Sequence, residues 1–206
     1  MLMGKARGKV GGLVFRVDAG IGQVVSEYNP HPTNPRTLAQ TTQRNKMNLA
    51  GQFSGLTPYT AIAGLDTNKR KARSMFVSNI LRNTTNAETT PGSGTYRATV
   101  ALENIEFSSG VSIPMGVTLT PASDLLEVRV LGLSQAGNVI GMRVIAVGDN
   151  NGNPDFVSVK NVNEIAASGP TTVEVNVPAS YLDNNEAHVD VYVVPVIETG
   201  DGITAA

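Results

Sequence analysis

Two periodicities divide the chain. Residues 13–17 (Leu13-Val14-Phe15-Arg16-Val17) and 23–28 (Gln23-Val24-Val25-Ser26-Glu27-Tyr28) are rich in β-branched and aromatic side chains, and the Gly-rich stretch Asp18-Ala19-Gly20-Ile21-Gly22 separates them. Two such runs around a glycine turn predict a β-hairpin over residues 10–28. A two-stranded ribbon is marginal in water by itself, so this one is expected to pair with something else, another subunit included. The prolines of Asn29-Pro30-His31-Pro32 then keep the chain extended, because the residue before each proline is pushed out of the helical region.

From residue 34 the spacing becomes helical. Asn34-Pro35-Arg36-Thr37 predicts a helix start, with Asn as N-cap and Pro at the first helical position, where its missing N–H leaves nothing unmatched. The helix is expected to reach about residue 53, with Leu38, Leu49, Phe53 and Leu56 in a narrow stripe bordered by Gln40, Gln43, Arg44 and Lys46. After the breakers Gly55, Pro58 and Gly64, a second helix is predicted over 68–81, with Ala72, Phe76 and Ile80 in one row and Val77 and Leu81 beside it. Its first turn is Lys69-Arg70-Lys71, the wrong sign for a helix N-terminus; such a run is either a contact site or a solvated face.

Residues 83–95 are small and polar and read as a linker. Beyond them, β-type runs fall at 96–107, 116–120, 125–133, 139–147, 156–159, 172–177 and 187–197, with turn clusters between. Alternation is plain in Leu126-Glu127-Val128-Arg129-Val130 and in Val173-Glu174-Val175-Asn176-Val177. About seven antiparallel strands of this kind make an immunoglobulin-like sandwich. The expected fold is mainly β with a small α part: a basic arm, hairpin and two helices over 1–82, a linker over 83–95, a β-sandwich over 96–199 and a tail over 200–206.

Charge changes the picture more than composition does. Residues 1–75 carry eleven Lys/Arg against three acids, net +8, and residues 76–206 carry five against fourteen, net −9, although the whole chain is at −1. Such a split calls for an acidic partner for the front part, either nucleic acid or the acidic part of a neighbouring copy. The neighbouring copy is favoured, because the cations are dispersed and aromatics suited to base stacking are scarce among them. The residues expected to make that contact are Lys5, Arg7, Lys9, Phe15, Arg16, Arg36, Arg44, Lys69, Arg70, Lys71 and Arg73.

The remaining composition mostly excludes. The 206 residues contain no Cys, which rules out disulfides, thiolate metal sites and a cysteine nucleophile. Neither a secretory leader nor a run of about 18 apolar residues is present, so no membrane association is expected. Asp149, Asn151 and Asp155 around Gly152 loosely resemble a calcium loop but lack the bidentate acid of an EF-hand, and Asn-Gly-Asn-Pro is first of all turn chemistry. His31 and His188 are the only imidazoles, too few for a charge relay or a His metal site, while Glu103 with Glu106 and Asp183 with Glu186 read as solvated acids. The Gly-rich stretch 4–12 lacks the Lys and hydroxyl of a phosphate loop and reads instead as an arm that orders on a partner. No enzymatic activity and no cofactor are expected.

The strings Gly8-Lys9-Val10-Gly11-Gly12-Leu13-Val14-Phe15, Asn34-Pro35-Arg36-Thr37-Leu38-Ala39-Gln40 and Gln43-Arg44-Asn45-Lys46-Met47 resemble a family of uncharacterised proteins of Bacteroidetes-type bacteria and their phages. That resemblance spans about the first 80 residues by motif and implies a Gly-rich hairpin, an Asn-Pro-Arg-Thr helix start and a C-terminal sandwich. It further implies a phage virion structural protein, either capsid-associated, a decoration protein or a tail connector. Such a protein would be located in the virion, with copies of itself and other virion proteins as partners. Two alternatives stand beside it: a surface-binding module that recognises a host glycan or protein through sandwich loops such as 149–155, and a nucleic-acid-binding protein using Lys5, Arg7, Lys9 and residues 69–73.

Overall fold

In the computed structural model, which describes residues 7–18, 22–29, 37–110, 115–122, 125–133, 138–182, 187–199 and 202–205, the two expected helices form as α1 (Leu38–Leu56) and α3 (Lys69–Arg82). The proposed cap Asn34 and the adjoining Pro35 lie outside the described residues. Asn68 caps α3: its side-chain oxygen accepts the N–H groups of Arg70 and Lys71 at 3.0 and 3.3 Å. A short helix, α2 (Tyr59–Ile62), starts after Pro58. The apolar row Ala72, Phe76 and Ile80 is fully buried, as are Phe53 and Ile62.

The chain divides into two units, residues 1–37 and residues 38–206. The first contains a three-stranded antiparallel sheet of β1 (Gly8–Val10), β2 (Leu13–Asp18) and β3 (Gly22–Glu27), in spatial order β1-β2-β3. The hairpin is therefore present, and part of the stretch expected to be a flexible arm supplies its third strand.

Among the described residues, the second unit holds the helices together with nine strands: β4 (Thr84–Glu88), β5 (Tyr96–Val100), β6 (Gly116–Ala122), β7 (Leu125–Leu131), β8 (Val139–Asn150), β9 (Pro154–Val162), β10 (Thr171–Asn176), β11 (Ala187–Thr199) and β12 (Gly202–Ala205). They form antiparallel sheets ordered β10-β7-β6, β12-β11-β8-β9 and β4-β5. The first two sheets are sandwich-like, sharing a cluster in which Leu126, Val128 and Val130 of β7 meet Met142, Val144 and Ala146 of β8 and Val173 and Val175 of β10.

The division at 83–95 does not hold. Thr84–Glu88 is a strand paired with β5, Asn86 donates to Thr42 Oγ1 on α1 at 3.3 Å, and Asn45 on α1 donates to the Tyr96 carbonyl at 3.0 Å. The reason is β8. Met142, Val144 and Ala146 enter the inter-sheet core, while Ile145 and Val147 enter a second cluster with Phe53, Ile62, Phe76, Ile80 and Phe107. A strand apolar on both faces needs a cover on each side, and the helices supply one of them. A chain of rings fastens that layer: Phe53 to Phe76 at 5.4 Å, Phe76 to Phe107 at 5.3 Å, and Phe107 to Tyr192 of β11 at 4.6 Å. The Tyr192 hydroxyl donates to the Leu102 carbonyl at 2.5 Å. Helices and sheets thus share one core, and the unit boundary falls before α1.

Two smaller differences follow from pairing. Residues 96–107 are not one strand, because β5 ends at Val100 and a 3-10 turn (Leu102–Asn104) buries Leu102 beneath Tyr192. Of the expected tail, 202–205 is β12, paired with β11.

The turn from β8 to β9 is an Asn-Gly hairpin turn: Asn151 and Gly152 have φ of 54° and 77°, and Asn150 and Asn153 exchange backbone hydrogen bonds at 3.2 Å. It packs on β5, since the Val100 N–H donates to the Gly152 carbonyl at 3.0 Å and a Cβ at Gly152 would sit 2.7 Å from Thr99 Cβ. Gly152→Ala is therefore expected to destabilise the protein by about 1–3 kcal/mol, from left-handed strain alone, as a lowered urea midpoint.

Candidate assembly interface

The register of the first unit sorts its side chains onto two faces. Gly8 lies opposite Phe15, Val10 opposite Leu13, Phe15 opposite Val25, and Val17 opposite Gln23. One face therefore presents Val10, Leu13, Phe15, Val17 and Val25, with Glu27 across from Leu13 and Gln23 across from Val17 at its edge. The other carries Lys9, Val14, Arg16, Val24 and Ser26, by the pairs Lys9 with Val14, Val14 with Ser26 and Arg16 with Val24. On that second face the Lys9 ammonium stands 3.5 Å from the centre of the Tyr28 ring, and the Tyr28 N–H donates to the Gly12 carbonyl at 2.6 Å.

This sheet has no interior among its described residues: Val10 is 70%, Val25 50% and Leu13 45% exposed, Phe15 and Val17 are half-buried, and no residue of 7–17 or 22–29 is buried. An exposed apolar stripe on a three-stranded sheet makes this face a candidate interaction surface. The sequence had singled out Lys9, Phe15 and Arg16. It missed Val10, Leu13, Val17 and Val25, although every second position from Leu13 carries that signal.

The other expected contact residues fall into three groups. Lys5 and Arg36 lie outside the described residues. Arg7 and Arg44 are exposed. The run on α3 is largely engaged within its own unit. Lys71 pairs with Asp66 at 2.6 Å, Lys69 stands 5.2 Å from the centre of the Tyr59 ring, and Arg73 bonds the Ser54 carbonyl on α1 and Ser54 Oγ at 3.1 Å. Asp66 resolves the wrong-signed helix start: it sits just ahead of α3, accepts the Asn68 N–H at 2.8 Å, and is held below the usual carboxylate range mainly by its hydrogen bond to Lys71. Six of the eleven front cations thus belong to the second unit, and the charge boundary is not the structural one.

The acids gather near the β8–β9 turn. His188 lies opposite Asp149 in the β11–β8 register, with Asp190 two residues on. Burial pushes the carboxyls of Asp149 and Asp190 above their usual range, and mutual repulsion adds to the shift of Asp190. Burial, with a hydrogen bond to Asp155, also raises the Tyr181 hydroxyl. Among the described residues no three His, Cys, Asp or Glu side chains are arranged to hold a metal ion. Glu103 and Glu106 are exposed, and His31, Asp183 and Glu186 lie outside the described residues. Among the described residues no helix is long and apolar enough to cross a membrane.

Comparison of the chain with protein-family models, with curated proteins and with solved structures finds no match.

Proposed function

We propose that this chain is a structural component of a phage virion, capsid-associated, decorating or connecting to the tail, and that it assembles through its N-terminal sheet. One observation carries the assembling role: the β1-β2-β3 sheet holds five apolar side chains on one face and buries none of its described residues. Ordering such a sheet costs backbone entropy that only burial of that face offsets, and the covering surface is a second copy or another virion protein. The virion setting rests on the resemblance carried by residues 8–15 and 34–47. Charge agrees with a like partner: residues 1–37 have five Lys/Arg against two acids, net +3, and residues 38–206 have eleven against fifteen, net −4.

Neither alternative has comparable support. The 149–155 turn is packed on β5, and Lys71 and Arg73 are tied within the second unit. Light scattering over a salt series tests the proposal. Association is expected at low salt, weakened but not abolished at high salt, because screening removes the charge attraction and leaves the apolar contact. A strictly monomeric protein at low salt that also binds no other virion protein would overturn it.

A further inference from the structure

The second unit has a cavity of about 370 Å³ where β8 and β9 part, within the range of small-ligand sites. Its geometry depends on Gly141. A Cβ there would sit 2.6 Å from the Val162 carbonyl oxygen and 3.5 Å from Asn163 Cα, so the chain leaving β9 crosses where any other residue would project. Ile140, Gly141, Met142, Val162 and Val196 line the cavity with Arg143, Asn161 and Asn163; by register Arg143, Asn161 and Val196 face one side and Met142 the other, so Val196 is the apolar side chain on the guanidinium's side.

Arg143 is the charged group of that lining, and its bonding is incomplete. Nε donates to Asn161 Oδ1 at 3.1 Å, whereas Nη1 is enclosed and has no acceptor. Among the described residues no carboxylate pairs with it. Burial lowers the guanidinium below its ordinary pKa, and Tyr59 offsets part of that shift. An enclosed donor with no partner costs free energy that a bound acceptor recovers.

The lining also selects the ligand. One guanidinium matches one carboxylate in charge and in planar geometry, whereas a phosphate would call for further cations that the lining lacks. The Val196 side chain would stay uncovered by a bare inorganic anion. We propose that this cavity binds a small monocarboxylate with an apolar body, its carboxylate on Arg143 and its hydrocarbon against Val196. Occupancy does not depend on whether the first unit assembles.

The test titrates the full chain with hexanoate and benzoate, and in parallel with hexanol and benzyl alcohol, following the amide resonances of Gly141, Asn161 and Asn163. Saturable shifts are expected with the carboxylates at millimolar concentration, and about tenfold to hundredfold weaker binding of the alcohols, the worth of a charge-assisted hydrogen bond. Arg143→Gln should lose the same factor for the carboxylates and little for the alcohols. The alcohol comparison uses the unaltered chain, so it decides the matter even if that variant folds poorly. Equal binding of acids and alcohols, or no saturation with either acid, overturns the proposal.

Discussion

Phe76→Ala is expected to lower the stability of the second unit by about 3–5 kcal/mol and to weaken helices and sheets together. Phe76 is fully buried and forms the middle of the ring series, 5.4 Å from Phe53 on α1 and 5.3 Å from Phe107, which in turn meets Tyr192 of β11. Removing the ring opens a cavity between the helical layer and the β8–β11 sheet, and the tilted aromatic contacts beyond simple burial are lost with it. For a unit of this size the midpoint should fall by about 6–20 °C. Because the chain has no Trp and five Tyr, a Tyr28→Phe, Tyr59→Phe, Tyr96→Phe, Tyr181→Phe background lets tyrosine fluorescence follow the β11 side through Tyr192 while far-ultraviolet circular dichroism at the helical minimum follows mainly the helices. The two transitions should coincide in parent and variant alike. Separate melting of the helices would mean that 38–82 is a domain of its own, as the small, polar composition of 83–95 had suggested.

The second large effect is expected in the first unit, where Leu13→Ser combined with Phe15→Ser should abolish association without moving the thermal midpoint of the second. These residues are neighbours on the apolar face of β2, with Val10 and Val25 directly across from them. Burying each large side chain is worth about 1.5–3 kcal/mol, so losing two raises the dissociation constant about a hundredfold or more. Arg16→Ala, on the opposite face, should instead reduce the salt dependence and leave most of the affinity. Sedimentation at matched concentrations separates the two outcomes. If the double variant associates like the parent, the apolar face is not the contact.

How much of this was legible before folding depended on the range of the interaction. The start of α3 near Asn68, the buried row Ala72, Phe76 and Ile80, and the Asn151-Gly152 turn were all readable, because each depends on residues within about four positions of one another. The alternation of β7 and β10 was readable for the same reason and placed their apolar sides correctly. Residues 84–88 were not. Thr84-Thr85-Asn86 has little strand character of its own and becomes a strand because β5 pairs with it and α1 hydrogen-bonds to it. One signal of the larger arrangement went unused: β8 is apolar on consecutive positions from Val144 to Val147, the mark of a strand covered on both sides.

The candidate sites divide in the same way. Lys9 and Arg16 were named from the charge split and Phe15 from the hairpin, but the apolar face of the sheet emerged only from the β1-β2-β3 register. Arg143 looked like any strand cation until Gly141, Asn161 and Val196 were seen to enclose a cavity around it. By itself, then, the sequence determined the helices, most of the strands, the hairpin and the total charge, since periodicity, caps and turns are local properties. Tertiary structure decided that helices and sheets share one core, that the charge split crosses the unit boundary, and that one sheet face is left uncovered. Those outcomes rest on contacts between residues far apart in the chain, such as Tyr192 with Leu102 and Asn45 with Tyr96, whose partners no local pattern specifies.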